Sequence, residues 1–140
     1  MNQLVSVIIP YYNNLEYIKK TLQSVYSQSY RQIEVIIIYD GPDKKNLAYL
    51  SKILQNFKNI KLLVNNKNIG AGLSRNKGIR IANGKYIAFI DSDDAWVHTK
   101  LEKQIAFMEI LGINFSHTSY KIINSSGNVT GYRKAKKILI

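Results

Sequence analysis

No cysteine occurs among the 140 residues, which excludes disulfides and thiolate metal sites and agrees with a reducing compartment. Acidic residues are scarce, 9 against 20 Lys and Arg, and none follows Glu109. The resulting net charge of +11 points to an anionic partner: nucleotide phosphates, anionic lipid headgroups or nucleic acid. Lys121, Arg133, Lys134, Lys136 and Lys137 make the C-terminal stretch basic. A solvated, solubilising face is the plain alternative to a binding role for that stretch. No window approaches the roughly 20 apolar residues of a membrane span. The apolar run Leu4 to Ile9 is too short for a signal peptide and has no basic residues before it. What is present, 46% hydrophobic residues, argues against disorder and suits one domain over residues 1–140 with a real core. Cytoplasm is the default compartment.

The most informative stretch is Tyr86-Ile87-Ala88-Phe89-Ile90 followed by Asp91, Ser92, Asp93 and Asp94. The apolar run predicts a strand buried on both faces. Three carboxylates crowded at its end repel one another and raise each other's pKa unless a cation neutralises them. All-oxygen ligands suit Mg²⁺ or Mn²⁺, ions that keep waters and are completed by substrate phosphates. The alternative is that Asp94 caps the next helix and the others are solvated loop charges.

Upstream, Val5 to Ile9 reads as a buried strand ended by Pro10. Asn13 or Asn14 can cap a helix to about Gln28 with Leu15, Ile18, Leu22 and Val25 on one apolar face. Glu34 to Tyr39 predicts a second strand, and Asp43 can cap a helix carrying Leu47, Leu50, Ile53, Leu54 and Phe57. Ile60 to Val64 predicts a third strand and Leu73 to about Ala82 a helix, the latter following the polar loop Asn65 to Gly72. After the acidic cluster come a helix with Leu101, Ile105, Met108 and Leu111, strands within Asn114 to Tyr120 and Lys121 to Ile123, and a turn at Ser125 to Asn128. This alternation predicts an α/β fold, a mostly parallel sheet flanked by helices on both faces with right-handed crossovers. In such a sheet the loops after the strands gather along one edge. They would bring together Pro10 to Asn13, Asp40 to Asp43, the Asn68 to Gly72 segment leading to Arg75, and Asp91 to Asp94. No Walker-type loop is present, and Gly70-Ala71-Gly72 lacks the third glycine of a dinucleotide fingerprint.

These stretches resemble the donor-binding half of family-2 glycosyltransferases: Val5 to Asn13, Asp40-Gly41, Asn68-Ile69-Gly70 with Arg75-Asn76-Lys77-Gly78, and Gly84 through Trp96. Lys100 to Ile105 is similar to a segment common in bacterial members that build surface polysaccharides. The resemblance covers essentially the whole chain. It implies the GT-A (Rossmann-like) fold and metal-dependent, inverting transfer from a nucleoside-diphosphate sugar, commonly a UDP-sugar. Pro10 and Tyr12 would line the nucleobase pocket, and Asp40 would accept from a base N–H. Arg75 would sit near the diphosphate, and Ser92 would be counted with the donor contacts. Asp91 would hold the ribose side or help the Mn²⁺ or Mg²⁺ ion, with Asp93 as direct ligand. Asp94 stays open between helix cap and donor contact. Trp96 reads as a packing anchor, and His98 and His117 are too isolated for a zinc site.

Departures are specific. Tyr39 stands where relatives have an acidic residue, Pro42 where a small hydroxyl residue is usual, and His98 where proline is frequent. The family's general base is an Asp or Glu well after the metal motif, yet only Glu102 and Glu109 follow Asp94. Both read as surface charge on an amphipathic helix. The expectation is a donor-binding part cut short before the acceptor-binding part, with Lys136 to Ile140 an interrupted segment. The acceptor would be a saccharide or lipid-linked sugar, at the cytoplasmic face of the membrane. Two other readings stand beside the enzyme: a non-catalytic nucleotide-binding module, and a basic nucleic-acid or membrane-surface binder.

Overall fold

A computed structural model describes residues 3–135; Lys136 and Lys137 of the basic stretch, and the 136–140 segment as a whole, lie outside the described residues. One compact unit ends at Lys100 and a second begins at Leu101.

The first unit is built on four parallel strands: β1 (Val5–Tyr11), β2 (Ile33–Tyr39), β3 (Ile60–Val64) and β4 (Tyr86–Phe89), in the order β3-β2-β1-β4. Their connections are α1 (Leu15–Tyr26), α2 (Lys44–Leu54) and α3 (Ala71–Ile81). β1 is buried along its whole length and β2 from Glu34 on, which is why both read as unbroken apolar runs. The chain steps outward from β1 to β3 and then returns to the other side of β1. Right-handed crossovers therefore put α1 and α2 on one face and α3 on the other. Ile8, Ile36 and Ile38 form the core beneath α3. Gly78 makes that approach possible, since a Cβ there would stand 2.6 Å from the Ile8 side chain.

Several expectations need correction. β1 does not end before Pro10 but runs through it to Tyr11. Strand groups alternate sides, and Ile8 O accepts from Ile90 N, so Pro10's missing N–H faces the β4 side. β4 pairs with β1 only as far as Ile8, so no ladder bond is lost there. β4 is not buried on both faces: it has a partner on one side, and Ile87 and Phe89 are 40% and 46% exposed. On α1, Ile18, Leu22 and Val25 are buried, whereas Leu15 is only half-buried. Asn14 precedes α1 without making a side-chain cap; Asp43 does cap α2, accepting from Lys45 N and Asn46 N at 2.8 and 3.1 Å.

The second unit holds α4 (Lys100–Leu111), which crosses the boundary by one residue, and an antiparallel hairpin of β5 (Tyr120–Ile123) and β6 (Val129–Arg133). Leu101 and Ile105 are buried, Met108 half-buried and Leu111 exposed. Residues 114–119 form no strand. The expected turn is present, with Gly127 at φ 81° and Asn128 N donating to Asn124 Oδ1 at 2.9 Å.

At the amino end of the sheet, Glu34 is buried and fully engaged. It accepts from Ser6 Oγ at 2.6 Å, Asn83 N at 2.7 Å and Lys61 Nζ at 2.8 Å, while Ser6 Oγ accepts from Gly84 N at 2.8 Å. One carboxylate thus ties β1, β2, β3 and the approach to β4. Burial raises its pKa, but the bonds from Lys61, Ser6 and Asn83 and the Lys61 charge outweigh burial and hold it at about 2. A folded-state pKa below the ordinary value gives stability that is full above about pH 4.5 and is lost as pH falls toward 2. Glu34→Gln is expected to cost about 2–3 kcal/mol at neutral pH. Urea titrations from pH 5 to pH 2 should show wild type losing stability through that window and the variant changing much less.

Candidate functional site

The strand order reverses between β1 and β4, so the loops after these two strands diverge and leave a crevice at the carboxyl edge of the sheet. A cleft of about 220 Å³ lies there, lined by Pro10, Tyr11, Tyr12, Asn14, Asp40, Ala71, Arg75, Asp91, Ser92 and Asp93. The seven site residues expected from the sequence, Pro10, Tyr12, Asp40, Arg75, Asp91, Ser92 and Asp93, are all among them. A larger cavity of about 300 Å³ opens beside α1 and α2, lined by Leu15, Lys19, Tyr49, Lys52, Ile53, Asn56 and Phe57. Its lining has Lys19 and Lys52 but no carboxylate, so size does not decide between the two; the mixed charge of the smaller cleft favours it.

Each wall has a local cause. At the end of β1, Tyr11 turns inward, buried, and its hydroxyl donates to Asn46 Oδ1 at 2.8 Å; burial pushes that hydroxyl up to about 12. Tyr12 points the other way, 52% exposed, with its ring edge over Gly41. After β2, Asp40 is buried, and Tyr39, the residue replacing an expected carboxylate, is buried against the Tyr11 ring and donates to Asp43 O at 2.9 Å.

Asp40 Oδ1 accepts from Ile69 N at 2.8 Å and Asn65 Nδ2 at 2.9 Å, and Oδ2 accepts from Gly70 N at 2.8 Å. Burial raises its pKa, but bonds from Ile69, Asn65, Gly70 and Ser74 outweigh burial and hold it below the ordinary value. A carboxylate has about four acceptor positions, so most of Asp40's capacity is spent on the loop between β3 and α3. That loop ends at Gly70, whose φ of 87° favours glycine. α3 then starts at the cleft with no side-chain cap, and one turn on it presents Arg75.

After β4, Asp91 accepts a charge-assisted bond from the Arg75 guanidinium across the cleft. Asp93 and Asp94 are exposed. Asp94 does not cap α4, which begins only at Lys100; its N–H donates to Asp91 O at 3.1 Å. Its carboxyl pKa is raised by partial desolvation and then by the charges of Asp91 and Asp93, the crowding anticipated from the sequence. Among the described residues no three His, Cys, Asp or Glu converge on one point. The donor set therefore offers no closed protein cage; it fits a hard cation that brings waters and ligand oxygens of its own. Trp96 is half-buried, with the Lys100 ammonium 3.9 Å from its ring centre.

Sequence reasoning missed Asn65, Ser74 and Lys77. Asn65 is 2% exposed, donates to Asp40 and Ser74, and accepts from Lys77 Nζ at 2.6 Å. Nothing in the sequence marked Ser74, whose burial is a product of the fold.

The family model for glycosyl transferase family 2 matches residues 6–138. Over 123 residues the chain is 44% identical to an uncharacterized glycosyltransferase of Rickettsia bellii, covering 88% of this chain and 18% of that protein. Over 120 residues it is 42% identical to the UDP-Glc:alpha-D-GlcNAc-diphosphoundecaprenol beta-1,3-glucosyltransferase WfaP of Escherichia coli, covering 86% of this chain and 47% of that one. The chain thus spans about half or less of these relatives. Among solved structures, S. aureus TarS 1-349 in complex with UDP is similar with a TM-score of 0.68 and 31% identity, over 76% of this chain and 32% of that one. The mannosyltransferase PcManGT of Pyrobaculum calidifontis, solved with GDP-Man and Mn²⁺, aligns with a TM-score of 0.70 over 77% of this chain and 33% of its own. At 20% identity this second likeness speaks to the fold alone.

Asp40→Asn turns one carboxylate oxygen into an N–H₂, so either Ile69 N or Gly70 N loses its acceptor. It is expected to cost about 2–3 kcal/mol in urea denaturation. Hydrogen exchange should accelerate at Ile69 and Gly70 and leave β1 and β2 protected.

Proposed function

Since the chain belongs to glycosyl transferase family 2, we propose that its β1/β4 cleft binds the nucleoside diphosphate of a sugar donor, with uridine the favoured base. The observation that carries this reading is one cleft holding an exposed aromatic ring, a guanidinium and three carboxylates at the switch point of a parallel sheet. Pro10 and Tyr12 form the wall for the base, the half-exposed Tyr12 ring giving a stacking face. Asp40 keeps at most one acceptor position for a base N–H, because the 65–70 loop takes the rest. Ser92 and Asp91 face the ribose and diphosphate.

Mn²⁺ or Mg²⁺, held by Asp93 with help from Asp91, would when bound neutralise charge growing on the leaving diphosphate. On donor arrival Arg75 exchanges Asp91 for phosphate oxygens, for which its planar fork is suited. The uncapped start of α3 adds partial positive charge at the same lip. In the transfer itself an acceptor hydroxyl attacks the anomeric carbon as the bond to the diphosphate oxygen breaks, inverting the configuration, and a general base takes the hydroxyl proton. Of the carboxylates after Asp94, Glu102 and Glu109 are exposed on α4, and neither is assigned as that base. We therefore expect the 140-residue chain to bind donor while transferring sugar weakly or not at all.

The acceptor is proposed to be a saccharide or lipid-linked sugar of surface-polysaccharide synthesis, by analogy with the relative that acts on a diphosphoundecaprenol-linked sugar. No helix among the described residues is long and apolar enough to cross a membrane. We place the reaction at the cytoplasmic face, with peripheral membrane contact and without nucleic acid as partner.

Calorimetric titration of UDP with Mn²⁺ and then with EDTA tests the reading. Binding should require the ion and weaken by at least about 100-fold in Asp93→Ala, by comparison with the smaller losses caused by outer-shell changes. Binding that ignores both EDTA and Asp93→Ala would refute the assignment of the carboxylates.

A further inference from the structure

From Asp91 to Thr99 the chain has no helix or strand of its own, yet it is held at successive points by α1 and the residues just before and after it. Thr21 Oγ1 donates to Ser92 O at 2.9 Å, and Asn14 Nδ2 donates to Ser92 Oγ at 3.1 Å. Trp96 N donates to Ser24 Oγ at 3.1 Å, and Gln28 Nε2 donates to Val97 O at 2.8 Å. Ser29 N donates to His98 O at 2.9 Å, and the His98 ring donates from Nδ1 to Ser27 O.

Thr21 and Ser24 stand three apart on one side of α1, with Asn14 just before the helix and Gln28 just after it, each seven residues from Thr21. This polar stripe runs beside the apolar one of Ile18, Leu22 and Val25. Thr21 and Gln28 are each 1% exposed and Ser92 is 4% exposed, so their polar atoms leave water to meet this loop. Helix packing alone would be served as well by apolar side chains, without that desolvation cost. What the polar choice adds is a fixed path for a loop whose carboxylates repel one another.

We propose that this stripe positions the carboxylate loop, with Thr21 as the positioning residue that sets Asp91 and Asp93 through the Ser92 carbonyl between them. The consequence for ligand binding rests on the donor-site reading above; the clasp itself does not.

Hydrogen exchange of the ligand-free 140-residue chain reads the clasp, and Mn²⁺-supported UDP binding reads its consequence. In Thr21→Val the amides of Asp93 and Asp94 should exchange about 10-fold faster while those of β1 and β2 keep their rates. UDP affinity with Mn²⁺ should fall about 10-fold, the scale of losing an outer-shell partner. Thr21→Ser, which keeps the donor, should restore both. Wild-type exchange and affinity in Thr21→Val would overturn the proposal. If wild type binds no UDP, the donor reading fails and exchange alone decides the clasp. If Thr21→Val does not fold, Ser24→Ala takes its place, with the Trp96 amide expected to exchange faster and an unchanged rate counting against the stripe.

Discussion

A carboxylate taken out of water must find its hydrogen bonds inside the fold, and β2 carries one near each end. Glu34 draws in Ser6, Lys61 and Asn83 from the strands and turn around it, and Asp40 draws in Asn65, Ile69 and Gly70 from one loop. Bonds to a charged group are each worth about 1.5–3 kcal/mol, and leaving either carboxylate unpaired would cost about as much as a core truncation. The two ends of β2 are therefore anchored by opposite halves of the first unit. The Asp40 end matters for the cleft, because the loop it holds delivers Gly70 and the start of α3, and α3 carries Arg75 to Asp91. Arg75 is placed by a carboxylate it does not touch.

The strands were legible because burial on both faces leaves continuous apolar runs, and Val35 to Ile38 could be little else. Asp43 was legible as a cap because that chemistry is local, joining residues two and three positions apart. Long-range pairing hid the rest. Thr21 meets Ser92 across 71 residues, and Asp40 meets Gly70 across 30. Nothing near Thr21 announces a polar stripe, since Thr and Ser on a helix normally face solvent. Ile87 and Phe89 read as core because composition does not tell an edge strand from a central one. Pro10 read as a strand end because its missing donor is harmless only where β4 has already stopped, a fact of register.

The candidate site divides the same way. Carboxylates after a short apolar run were visible as a chemical anomaly, and resemblance supplied Pro10, Tyr12 and Arg75 as companions. Topology accounts for their meeting: an order of β3-β2-β1-β4 makes residues 10, 40, 75 and 91 neighbours around one crevice. Neither source revealed how Asp40 divides its capacity. Read from sequence, its carboxylate is free for a ligand; in the structure most of it belongs to the protein.

Charge in the cleft runs opposite to charge on the chain. The net charge of +11 draws anions, but beyond roughly 8 Å at physiological salt that attraction is screened. Among the described residues lining the cleft stand three carboxylates, Asp40, Asp91 and Asp93, against one guanidinium, Arg75. The local balance is two negative charges, and Arg75 is already engaged by Asp91. A diphosphate arriving alone would meet repulsion at short range. A divalent cation arriving with the diphosphate would, on the donor-site reading, offset those two charges and leave Arg75 for the phosphate oxygens. On the donor-site reading, metal dependence is then a property of this cleft's own electrostatics, and the basic surface acts on the rate of encounter more than on the strength of the complex.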